Sequence, residues 1–153
     1  MPHRLAIVPL LFVALLAIGC APSLVDARAA VNRVSETYAT TAPALEKQRM
    51  AAGDACFLDN PPGAEAVQRC LDGVRTRWRP VEAAVAALYV ALVAAQSTVG
   101  TAEAAERIGR QPSVAQVMGV VARLLDAAVV LDLAVDGMRR DITRSDQSTN
   151  RAP

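Results

Sequence analysis

The sequence predicts an all-α fold, an antiparallel three-helix bundle of coiled-coil type, with a short fourth helix as an option between residues 100 and 112. Three observations predict it. Apolar residues return at alternating intervals of four and three in three separate segments, the pattern of helices packed at a shallow angle. Hydrophobic residues make up 53% of the chain but aromatic residues only 3%, with much of the apolar count in Ala and Val. Such side chains bury little area each, so long contacting helices must supply the stability. No strand pattern competes.

At 153 residues the chain holds one domain. Its formal net charge of +1 gives no global field for nucleic acid and implies no acidic substrate. The single histidine is His3, inside an apolar leader. Without that residue the chain lacks the usual general base for a Ser or Cys nucleophile. It also lacks CxxCH for haem attachment and a His/Cys set spaced for a metal. Asp132 and Asp136 are paired carboxylates one helical turn apart, but Arg139 and Arg140 follow a turn later, an ordinary charge network. No catalysis, cofactor or metal is expected.

The leader comes first. His3 and Arg4 precede an apolar run at 5–18, LAIVPLLFVALLAI, shorter than the roughly 20 residues that cross a bilayer. A basic start, an apolar run and small residues at its end describe a secretory signal peptide over residues 1–19. The junction Ala17-Ile18-Gly19-Cys20 resembles the lipobox of bacterial lipoproteins, with Ala17 where that class prefers Leu. The resemblance covers this junction alone. It implies cleavage before Cys20, a diacylglyceryl group on the Cys20 thiol and acylation of the new amino terminus. Pro22 disfavours an ordinary signal cleavage after Ala21. Ala21 stands where Asp would resemble the inner-membrane retention signal, so the outer membrane is favoured if the cell has two membranes. Two or three acyl chains, at about 0.8 kcal/mol per buried CH₂, hold a protein firmly in a bilayer.

Cys56 and Cys70 are the remaining cysteines, and an even count in an exported chain suggests one disulfide.

The first helical segment carries Val31, Val34, Tyr38, Thr41, Leu45, Gln48 and Ala52 at four-three spacing, with Pro43 expected to kink or restart it. From Gly53 the stretch AGDACFLDNPPG reads as a turn that the two cysteines staple to the next helix. That helix, over 62–99, is capped by Asn60 and entered through Pro61-Pro62. Its seam is the clearest in the chain: Val67, Leu71, Val74, Trp78, Val81, Val85, Leu88, Leu92, Ala95 and Val99. Pro80 should kink it without ending it, because the seam continues in register. The charge-free stretch 83–102 has the length of a membrane span, but it continues the seam of the charged region before it and is expected to be buried in the bundle.

Pro112 and Ser113 mark the start of the third helix, with seam residues Val114, Val117, Val121, Leu124, Ala128, Leu131, Val135, Met138 and Ile142. Val120, Leu125, Val129, Val130 and Leu133 extend its apolar surface, so it should be buried on most sides, centrally or against a second copy. The bundle domain spans 20–144, and the polar residues 145–153 read as a disordered tail.

Arg69, Arg75, Arg77 and Arg79 cluster around Trp78. They form either an anionic-surface patch or, the favoured reading, a solvated face whose stems cover apolar surface, with Asp72 and Glu82 near enough to pair. The expected function is that of a lipid-anchored cell-envelope protein facing the periplasm, with a structural or partner-binding role. Its partners would be the membrane, through lipid on Cys20, and an envelope protein or a second copy. The alternative is a periplasmic carrier of a small apolar ligand in the bundle interior.

Overall fold

The computed structural model describes residues 23–59 and 64–149. The expected signal peptide, Cys20, Asn60, Pro61-Pro62 and the last four residues of the expected tail lie outside the described residues. Within them the fold is three packed α-helices and no strand: α1 (Leu24–Asp59), α2 (Ala64–Arg107) and α3 (Val114–Thr149). The predicted class stands.

Each helix begins or ends for a local reason. Before α1, the Ser23 backbone N–H donates to Asp26 Oδ2 at 3.2 Å while the Asp26 N–H donates to Ser23 Oγ at 3.2 Å. This reciprocal capping box satisfies two orphan donors of the first turn. Ser23 Oγ also donates to Asp26 Oδ2 at 2.6 Å. α3 starts as expected, with the Gln116 N–H reaching Ser113 Oγ at 3.3 Å.

α2 ends on Gly109, whose φ of +73° is the left-handed conformation that a Cβ disfavours. The Arg110 N–H donates to Ala105 O at 2.9 Å and the Gly109 N–H to Glu106 O at 3.0 Å, the paired bonds of a Schellman cap.

Three boundaries differ from expectation, and at Pro43 one of two expected outcomes is removed. The turn expected from Gly53 is helix, because α1 runs on to Asp59. A single helical Gly costs only about 1 kcal/mol relative to Ala, and Cys56 gains a buried place facing α2. Pro43 lies inside α1 and does not restart it. The stretch TAEAAER is the last part of α2 rather than a fourth helix; the helix passes through exposed Gly100 and stops at the glycine that needs a positive φ. Finally, α3 continues through residues 145–149, expected as tail, since no Pro or Gly interrupts a helix already propagating there.

Antiparallel register is visible in the cross-links between α1 and α2. Arg28, Ser35, Tyr38, Arg49 and Cys56 meet Glu103, Gln96, Tyr89, Glu82 and Cys70, so partners descend along α2 as numbers rise along α1. The core follows the three seams. Val74, Trp78, Val81, Leu88, Leu92, Ala95 and Val99 are buried on α2, with Val117, Val121, Leu124, Leu131, Val135 and Met138 on α3. On α1 the buried positions are Ala27, Val31, Leu45 and Cys56, with Val34 and Tyr38 packed beside them. α2 is the shared wall: both other helices pack chiefly on it, and α1 meets α3 less.

Burial of α3 on most sides does not occur within one chain. Val129, Val130 and Leu133 are exposed, Leu133 by 61%. Two neighbours cover about half of a helix circumference, and the third side has none.

Candidate functional site

The cysteines are brought together as expected. The last turns of α1 and the first turns of α2 place the Cys56 and Cys70 Cα atoms 5.7 Å apart in a disulfide that joins residues 14 apart in sequence. Cys56 is buried and Cys70 half-buried, so the bond lies against the core at one end of the bundle.

The four arginines do not converge. At 100° per residue they point around the helix, and only Arg75 and Arg79 share a face. Arg75 is 77% exposed in its side chain and pairs with Asp72 at 3.4 Å. The Nε atoms of Arg69 and Arg77 donate to the carbonyl oxygens of Glu65 and Gly73, each one turn back on their own helix. Glu82, expected beside Arg79, instead meets Arg49 of α1 at 3.4 Å. Arg49 also pairs with Glu46 and holds that carboxyl below the usual glutamate value. The arrangement is a solvated face with local partners.

Asp132 and Asp136 lie half-buried on α3. Burial, followed by the charge of Asp136, pushes the Asp132 carboxyl above its ordinary value, and Arg139 opposes that rise. Arg139 stands 3.8 Å from Asp136. No group of three or more metal-ligating side chains exists among the described residues.

Sequence reasoning missed two features. One is the set of polar and aromatic contacts along the α1–α2 seam, including Gln96 Nε2 donating to Ser35 Oγ at 3.5 Å and the Tyr38–Tyr89 ring pair at 6.0 Å. Their signal was the polar residues flanking each heptad seam. The other is an open apolar groove of about 510 Å³ between α2 and α3, lined by Ala86, Ala87, Val90, Ala91, Ala94, Val120 and Arg123. The small alanine side chains of α2 leave it. The stretch 83–102 runs along it: its seam residues Leu88, Leu92, Ala95 and Val99 are buried, whereas Ala86, Val90 and Val93 face outward. By length and composition alone, α2 and α3 are each apolar enough to cross a membrane. No family model, curated protein or solved structure matches the chain.

Proposed function

We propose that this chain is a lipid-anchored helical bundle of the cell envelope, held through Cys20, with a structural or partner-binding role and no catalytic one. The AIGC junction behind a short apolar leader carries the reading. The first helix, Leu24–Asp59, is capped by Ser23, three residues after the proposed lipid-bearing cysteine. A disulfide is consistent with an exported chain. Mass spectrometry of the membrane fraction tests the reading. A diacylglyceryl modification on an amino-terminal Cys20, lost in Cys20→Ser, supports it. A mature chain beginning at Pro22, or one keeping its leader, overturns it.

A second reading has a specific observation behind it. The α2–α3 groove falls in the size range of small-ligand sites and is walled by Ala and Val side chains, with Arg123 its one charged lining residue among those described. A carrier of a small apolar molecule would hold it there, on the flank of the bundle rather than in its interior. Extraction of protein purified from native envelopes, followed by mass spectrometry of the organic phase, would find a stoichiometric apolar ligand if the carrier reading holds.

A further inference from the structure

Three exposed apolar residues gather at one end of the bundle. Val25 in the first turn of α1 is 76% exposed, Ile108 in the α2–α3 turn 70%, and Val114 in the first turn of α3 43%. The antiparallel register puts them together: Arg28 near the start of α1 is bonded to Glu103 in the last turns of α2 at 2.7 Å. Arg107 and Arg110 flank Ile108, and all three are exposed. The cap at Gly109 fixes this turn, so Ile108 is displayed by a defined backbone.

The opposite end is no less apolar. Phe57 is 62% exposed and Leu58 83%. Exposure alone therefore does not say which end meets a partner. Chain length does. Cys20 precedes Ser23 by three residues, and an extended chain covers at most about 3.6 Å per residue, so lipid on Cys20 keeps the first turn of α1 within roughly 11 Å of the bilayer. Arg75, near the disulfide, lies about 48 Å farther along α2 from Arg107 at 1.5 Å per residue.

We infer that the end of the bundle bearing Val25, Ile108 and Val114 rests on the lipid bilayer, with these side chains in the headgroup layer and Arg107 and Arg110 meeting anionic headgroups. The inference rests on the lipid-anchor reading. The bundle then stands end-on, its disulfide end directed away from the membrane and its α2–α3 groove clear of it.

The test uses the full chain, purified from membranes and reconstituted into vesicles of phosphatidylethanolamine and phosphatidylglycerol. Gln111→Cys, Arg75→Cys and Ala87→Cys each introduce one thiol for an environment-sensitive fluorophore, at the inferred contact, the far end and the groove. With Cys20 as a thioether and Cys56–Cys70 oxidised, that thiol is the only one to label. Headgroup-proximal nitroxide lipids should quench the Gln111→Cys label several-fold more than the other two, and adding Ile108→Ser should weaken that quenching. Equal quenching at Gln111→Cys and Ala87→Cys means a bundle lying on its side and overturns the inference, as does no quenching at Gln111→Cys. A second labelled thiol at Cys20 shows that the anchor reading itself has failed, and this inference with it.

Discussion

Arg28 Nη1 lies 2.7 Å from Glu103 Oε1, joining residues 75 apart in sequence across the α1–α2 seam. Glu103 is only 18% exposed in its side chain while Arg28 is 61% exposed, so the carboxylate is the ordered partner and the guanidinium closes over it from solvent. A pair of this exposure contributes about 0.2–1 kcal/mol. It lies in the same antiparallel register as the Tyr38–Tyr89 pair and the Cys56–Cys70 bond.

Leu124 is fully buried and Leu131 nearly so, both at the centre of the α3 seam. Leu124→Ala and Leu131→Ala should each destabilise the fold by about 2–5 kcal/mol. Arg75→Ala, on the solvated face, should stay within about 0.5 kcal/mol. Thermal melts of a chain starting at Ser23 give the ordering, and equal melting of all three would show that the core has been misplaced.

Two glycines should respond with opposite signs. Gly109→Ala forces a Cβ into a left-handed conformation and should destabilise by about 1–2 kcal/mol. At Gly100, inside α2, an added Cβ meets nothing within 4 Å, so Gly100→Ala should stabilise by about 0.5–1 kcal/mol. Urea titration of both variants checks the signs.

Reduction of the Cys56–Cys70 bond should lower stability by about 3 kcal/mol, the chain-entropy value for a loop of about 15 residues. Guanidinium melts with and without reductant would show it. Non-reducing peptide mapping should recover one cross-linked pair, and two freely alkylated thiols after native extraction would count against the bond.

The two aspartates with shifted carboxyls should titrate on opposite sides of the ordinary value of 3.8. Hydrogen bonds from Ser23 lower Asp26, so its contribution to stability is present above the unfolded value and is lost as pH falls through the folded one. Asp132 is raised by burial and by Asp136, so its favourable share is present below the unfolded value and is lost as pH rises through the folded one. Carboxyl NMR titration separates the two. Ser23→Ala should bring Asp26 back toward the ordinary value and leave Asp132 unmoved.

The seams were legible because burial imposes a period: of the ten seam positions read on α2, Val74, Trp78, Val81, Leu88, Leu92, Ala95 and Val99 are buried, and Val67, Leu71 and Val85 are half-buried. Boundaries were less legible. Gly53, Gly100 and Gly109 look alike in sequence, and only the last needs a positive φ, a property set by where the chain reverses. The polar tail after Arg144 carries no seam, so periodicity could not show that the backbone stays helical to Thr149. The disulfide pairing followed from counting cysteines. The groove did not follow from periodicity, because it depends on how far the alanine-rich face of α2 settles from Val120 and Arg123 of α3. The apolar character of α3 was plain in sequence, but whether its outer side is covered within the chain depends on the number of neighbours in the bundle, and there Val129, Val130 and Leu133 are exposed.

The polar and covalent links along α1 and α2 enclose loops of very different length. Cys56 and Cys70 are 14 residues apart, Ser35 and Gln96 are 61 apart, and Arg28 and Glu103 are 75 apart. Each longer loop has a larger closure entropy unless a shorter one has already closed inside it. Closure entropy therefore favours pairing at the disulfide end, where the intervening chain is shortest. The turns nearest Ser23 enclose the longest loop and so carry the largest closure entropy of the three.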